Sequence, residues 1–124
     1  MTNLLVLVVE DHPDIAEVFR VSFRKAQFDV QIAWNGQEAL DCLADCVPEV
    51  VVVDLHLPGV PGTEVLHYLH TDPRFLNTYI IITSADPRMA LSYRDQADMV
   101  LIKPVTYSQL RDIAVNLTRT SNGE

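Results

Sequence analysis

Leu4-Leu5-Val6-Leu7-Val8-Val9 is an unbroken apolar run with no polar alternation. It is far too short to cross a membrane, which takes roughly 18 apolar residues. A half-exposed strand would alternate, because successive side chains of a strand point to opposite faces. The run therefore predicts a strand covered on both faces, as in a parallel sheet between helical layers. Val50 to Val53, Ile80-Ile81-Ile82 and Met99-Val100-Leu101-Ile102 repeat the pattern. Phe28 to Ala33 alternates instead, which places it near a sheet edge.

Helix-period stretches fill the intervals. Pro13 suits a first helical position, and Ile15, Val18, Phe19, Phe23 and Ala26 follow as an apolar stripe to about Gln27. Asn35 with Glu38 has the form of an N-cap and its return partner, opening a helix that buries Ala39, Leu40 and Leu43. Thr63 is the expected cap of a short helix with Val65, Leu66 and Leu69 inward. Asp86-Pro87 opens a fourth helix, with Met89, Ala90 and Tyr93 on one side. Thr106 with Gln109 opens a fifth, with Leu110, Ile113, Ala114 and Leu117 inward. Five β–α pairs in strict alternation predict an α/β domain with a parallel sheet and right-handed crossovers. The domain is expected over residues 1–119, with 120–124 as a short tail.

Composition closes off other classes. A chain of 124 residues, 48% apolar and 21% charged, can bury one core without disulfide or metal staples. Seventeen acidic against nine basic residues leave a formal net charge of -8. Phosphate contacts dominate nucleic-acid affinity, so direct DNA or RNA binding is not expected. Met1-Thr2-Asn3 lacks the charged region of a signal peptide, and no run approaches a membrane span, so cytoplasmic residence is the expectation. Cys42 and Cys46 lie four apart in an expected helix, a poor geometry for a disulfide and too few ligands for zinc.

In open α/β sheets ligands bind outside the carboxyl ends of the strands, so the residue that ends each run matters. The first run ends on Glu10-Asp11, the third on Asp54, the fourth on Thr83-Ser84 and the fifth on Lys103-Pro104. Only the second, ending at Ala33-Trp34, brings no ionisable group. Three carboxylates at one sheet edge repel one another, and a hard divalent cation such as Mg²⁺ relieves that repulsion. A lysine and a hydroxyl beside them complete a set able to hold a transferred phosphoryl group while a carboxylate oxygen attacks. Taken singly, each residue could simply cap a helix or end a strand; four strand ends carrying one chemistry is a stronger signal.

These stretches carry a family resemblance. Val8-Val9-Glu10-Asp11-His12-Pro13, Val53-Asp54-Leu55-His56-Leu57-Pro58-Gly59-Val60-Pro61-Gly62, Ile82-Thr83-Ser84-Ala85 and Ile102-Lys103-Pro104-Val105 occur in the order seen in receiver domains of two-component response regulators. The chain resembles that family over essentially its whole length. The resemblance implies a doubly wound, flavodoxin-like fold with strand order 2-1-3-4-5. It implies that Asp54 is the phosphoacceptor, and that Mg²⁺ is held by Glu10, Asp11, Asp54 and the backbone carbonyl of His56. Ser84 is the implied hydroxyl that turns toward the phosphoryl group, preferred to Thr83 because Ser84-Ala85 matches the family pair. Lys103 is implied to bind a phosphoryl oxygen beside a cis Lys103-Pro104 bond, and Pro58 and Gly62 to shape the loop over the site. The expected function is phosphoryl acceptance from a histidine kinase or phosphotransfer protein, followed by a conformational switch that regulates an effector or an output domain absent from this chain. No enzymatic activity beyond self-phosphotransfer and autodephosphorylation is implied.

Three departures bear on that switch. Val100 stands where the family usually has an aromatic, the Ser84–Lys103 interval is short so that the fourth helix should be short or distorted, and Gln96-Ala97 replaces a common Gly-Ala turn. His56 takes the position whose side chain overhangs the site and in the family tunes phosphoryl lifetime. Among competing readings, a phosphatase of the haloacid-dehalogenase kind needs a second aspartate where His56 stands. A flavin or nucleotide module needs a phosphate cradle where Glu10-Asp11-His12-Pro13 stands. A degenerate receiver acting only as an interaction module is the alternative, and the intact Asp54, Lys103 and acidic pair argue against it.

Overall fold

The structure, a computed structural model, describes residues 3–121, side chains through Arg119. Five strands, β1 (Leu5–Val9), β2 (Asp29–Ala33), β3 (Val50–Asp54), β4 (Tyr79–Ser84) and β5 (Met99–Ile102), alternate with α1 (Pro13–Lys25), α2 (Gly36–Asp45), α3 (Gly62–Thr71), α4 (Pro87–Ser92) and α5 (Tyr107–Ser121). All strand pairs are parallel, in the order β2-β1-β3-β4-β5. This is the expected doubly wound order, with β2 at an edge as its alternation required.

Two cores explain the unbroken apolar runs of β1, β3 and β4. β5, expected to be covered on both faces, is instead an edge strand with Ile102 exposed. Leu7 and Val9 of β1 face a layer with Ala39, Leu43, Val65, Leu66 and Leu69 from α2 and α3. Val6 and Val8 face the opposite layer, with Phe19 and Phe23 of α1 and Leu110, Ala114 and Leu117 of α5. Both faces of β3 are divided in the same way, Val51 and Val53 against Val50 and Val52. Each fully buried side chain of this size contributes roughly 1.5–3 kcal/mol relative to exposure.

Local signals account for most boundaries. Pro13 does sit at the start of α1, and Asn35 caps α2 by accepting from Glu38 N at 2.8 Å. The Glu38 carboxylate returns one residue further back than expected, to Trp34 N at 3.1 Å. Asp86 caps α4 through Arg88 N, and Thr106 Oγ1 accepts from Gln109 N at 3.2 Å ahead of α5. Thr63 is not the cap of α3. Pro61 takes that place with extended backbone, and the helix opens at Gly62 without a side-chain cap. The fourth helix is short, six residues followed by a 3-10 turn at Arg94–Gln96. The fifth runs to Ser121, and residues 122–124 of the expected tail lie outside the described residues.

The thiol pair also differs from expectation. Cys46 lies beyond the last residue of α2 in extended conformation, which swings its side chain back until Cys46 Sγ stands 3.4 Å from Cys42 Sγ. Both are free thiols.

Candidate functional site

Parallel strands all point their carboxyl ends to one edge of the sheet. Glu10 follows β1, Asp54 ends β3, Ser84 ends β4 and Lys103 follows β5, so the topology gathers them at that edge. Asp54 is 1% exposed and held at both oxygens. His56 N donates to Oδ1 at 2.9 Å, and Lys103 Nζ donates to Oδ2 at 2.9 Å. The same ammonium lies 2.9 Å from Glu10 Oε1, so one cation serves two buried carboxylates.

That imbalance shows in the acid–base behaviour. Burial pushes the Glu10 carboxyl above the usual carboxylate range, and the nearby Asp54 charge adds to it, while contacts with Lys103 and His12 partly offset both. Burial alone would lower the Lys103 ammonium, but its bonds to Asp54 and Glu10 outweigh burial and hold it above an ordinary lysine. Burial is the main cause at Glu10, and ionic contact outweighs burial at Lys103, so both groups hold their protons more tightly than free side chains do.

Asp11 and His12 complete the rim. His12 Nδ1 lies 3.1 Å from Glu10 Oε2 and 3.2 Å from Asp11 Oδ1. The hydrogen bond to Glu10, and then the Asp11 charge, hold its imidazole above the ordinary histidine value. Ligand atoms of Glu10, Asp11, His12 and Asp54 all lie within 4.8 Å of one another. Glu10 Oε1 is buried against the Lys103 ammonium, and Asp11 Oδ1 is buried beside the His12 ring. Hard oxygen donors with spare lone pairs and surplus negative charge fit a small divalent cation such as Mg²⁺.

The sequence-selected residues are thus largely brought together, with two qualifications. The Ser84 hydroxyl accepts from Asp86 N at 2.9 Å and donates to Asp86 O at 3.1 Å, so it is engaged with the turn that starts α4. Thr83, set aside from sequence, is the register partner of Asp54, and its buried hydroxyl has no hydrogen-bond partner among the described residues. The His56 side chain is exposed at the rim. The Lys103-Pro104 bond is cis, as the resemblance implied. Gly62 approaches the site so closely that a Cβ there would stand 2.0 Å from the Asp54 carbonyl oxygen. Sequence reasoning missed His12 as part of the cluster; its place directly after the acidic pair was the available signal.

A doubly wound sheet with an acidic cluster, a buried aspartate and a lysine at its carboxyl edge defines a receiver-type architecture. The chain belongs to the response regulator receiver domain family, whose pattern matches residues 6–115. It is similar to the DNA-binding response regulator MtrA of Mycolicibacterium smegmatis, 29% identical over 105 residues, which cover 85% of this chain and 46% of that relative. The chain thus spans less than half the length of that relative. Among solved structures, the Francisella response regulator 1452 receiver domain is 27% identical with a TM-score of 0.81, covering 96% of this chain and 99% of that one. The response regulator TrrA of Thermotoga maritima, solved in complex with Mg²⁺-BeF, is 27% identical with a TM-score of 0.77, covering 92% and 98%. The chemotaxis regulator CheY4 of Vibrio cholerae, 22% identical with a TM-score of 0.84 over 94% and 99%, shares the fold. No helix among the described residues is long and apolar enough to cross a membrane.

Proposed function

We propose that this receiver domain accepts a phosphoryl group on Asp54 from a histidine kinase or phosphotransfer protein in the cytoplasm, and then relays the change to an effector or output domain. The supporting observation is the Asp54 carboxylate, oriented by His56 N on one oxygen and by Lys103 Nζ on the other. An Asp54 oxygen attacks phosphorus, the O–P bond forms, and the bond to the donor nitrogen breaks with its electron pair leaving on the imidazole. Lys103 then follows the new negative charge by bonding a phosphoryl oxygen. Glu10, Asp11, Asp54 and the His56 carbonyl would hold Mg²⁺, which supplies charge neutralisation for the transferred group when bound. Hydrolysis by water at phosphorus releases phosphate and restores the carboxylate. The chain therefore acts on itself and not on a separate substrate.

The Ser84–Asp86 pair supplies the route outward. When the Ser84 hydroxyl turns to a phosphoryl oxygen, it leaves Asp86, whose own carboxylate caps the six-residue α4. Val100 on β5 is half-buried against the α2–α3 layer and too small to alternate between buried and exposed poses. The signal in this chain is carried by the α4 turn and not by an aromatic rotamer.

Intact mass after incubation with acetyl phosphate tests the reading. A Mg²⁺-dependent gain of one phosphoryl group, absent in Asp54→Asn, is expected. No gain by folded wild-type protein would overturn it in favour of a phosphorylation-independent interaction module.

A further inference from the structure

His12 occupies the N-cap position of α1 yet makes no side-chain cap hydrogen bond. Its imidazole turns the other way, with Nδ1 at 3.1 Å from Glu10 and 3.2 Å from Asp11. A ring serving the helix would reach its free backbone N–H groups; this one faces the carboxylates instead. Beside it, Lys103 Nζ reaches Glu10 Oε1 at 2.9 Å, and the buried Asp11 Oδ1 has the His12 ring as its neighbour. The donor set within 4.8 Å is therefore three carboxylates and one ring nitrogen, not oxygen alone.

That mixture matters for which ion fits. Mg²⁺ takes oxygen ligands in a strict octahedron and keeps several waters. Imidazole suits later first-row ions, which gain more from a nitrogen ligand than Mg²⁺ does. We propose that His12 is a metal-selecting residue, its Nδ1 joining the carboxylates as a ligand and biasing the site toward Co²⁺, Ni²⁺ or Zn²⁺ over Mg²⁺. This rests on the acidic cluster being the cation site of the reading above. In the ligated form the ring carries its hydrogen on Nε2, leaving the Nδ1 lone pair for the metal. At 62% side-chain exposure the imidazole can make that exchange without rearranging the core.

The full chain is titrated calorimetrically with Mg²⁺ and with Co²⁺, as wild type, His12→Ala and His12→Gln. Nitrogen NMR follows the His12 ring during titration with Zn²⁺, its resonances assigned by their loss in His12→Ala. The ratio of Mg²⁺ to Co²⁺ dissociation constants should fall at least about tenfold in both variants, since losing even an outer-shell partner of a metal ligand costs that much. Glutamine can still donate to Glu10, so recovery of the ratio in His12→Gln would mean a structural role and overturn the proposal. So would an unchanged ratio, or Zn²⁺ shifts confined to His67 and His70. Acetyl phosphate labelling of the wild type with Mg²⁺ keeps the two readings apart. Labelling with an unchanged ratio removes only the His12 inference, and a His12-dependent ratio without labelling removes only the phosphoacceptor reading.

Discussion

Lys103 Nζ lies 2.9 Å from Asp54 Oδ2 and joins two strand ends separated by 49 residues of sequence. The lysine side chain is only 13% exposed, and the carboxylates it serves on Asp54 and Glu10 are 2% exposed. Removing the ammonium in Lys103→Met leaves two buried carboxylates facing each other. The variant should lose about 3 kcal/mol of stability, typical of breaking a buried pair from one side. Adding Glu10→Gln should restore much of it by removing one charge. Urea unfolding of the three proteins checks this, and a Lys103→Met midpoint equal to wild type would show that the pair is not a stabilising contact.

Gly59 in the loop after β3 and Gly62 at the start of α3 separate space from backbone conformation. Gly62 has helical neighbours, but a Cβ there would lie 2.0 Å from the Asp54 carbonyl oxygen and 2.9 Å from Leu55 Cα. Gly59 has open space around it but a φ of +71°. Gly59→Ala should cost about 1 kcal/mol, the strain of a left-handed alanine. Gly62→Ala must move the backbone that carries Asp54 and should cost more than about 2 kcal/mol. It should also slow labelling by acetyl phosphate. Equal losses in the two variants would mean the close approach relaxes freely.

Much of this was legible because the signals are local or periodic. Three of the four unbroken runs, in β1, β3 and β4, are covered on both faces by separate cores. The fourth forms the edge strand β5 and leaves Ile102 41% exposed, and a short apolar run alone does not tell a central strand from an edge one. Strand ends then marked Glu10, Asp54 and Lys103 as neighbours, since parallel strands share one edge. Side-chain direction was not legible. Position after the acidic pair puts His12 near the site but does not turn its ring to Glu10, and nothing in the sequence tells that Ser84 engages Asp86. Long-range contacts through irregular backbone escaped for the same reason: His70 Nε2 donates to the Gln96 carbonyl at 2.6 Å, tying the end of α3 to the 3-10 turn before β5.

The end of α1 holds strain that a substitution can release. Gln27 N donates to Arg24 O and Phe28 N to Phe23 O, both at 3.0 Å, the paired bonds of a Schellman stop. That motif puts its first residue past the cap in the left-handed region, and Gln27 has φ 71°. Glycine adopts it without the Cβ clash. Gln27→Gly should therefore gain about 0.5–1 kcal/mol, the relief being partly offset by a freer unfolded chain. Thermal unfolding measures it, and a lower midpoint would show that the glutamine side chain contributes more than its backbone costs.

Cys42 gives a prediction in pH. Burial, then the hydrogen bond and charge of the adjacent Cys46 sulfur, push its thiol up to about 11. An unfolded-chain thiol titrates at about 8.5, so the folded state holds this proton more tightly. The stability contributed is full below about pH 8.5 and is lost as pH rises through about 11. Alkylation, which requires the thiolate, should be slow at Cys42 near neutrality and keep accelerating until the pH reaches about 11. Site-resolved mass spectrometry after short iodoacetamide pulses reads that profile directly. Urea unfolding on both sides of the window should show the wild type losing more stability with rising pH than Cys42→Ala. A Cys42 profile that levels off near the unfolded value would mean the thiol reaches water, and the 3.4 Å approach of Cys46 Sγ does not persist in solution.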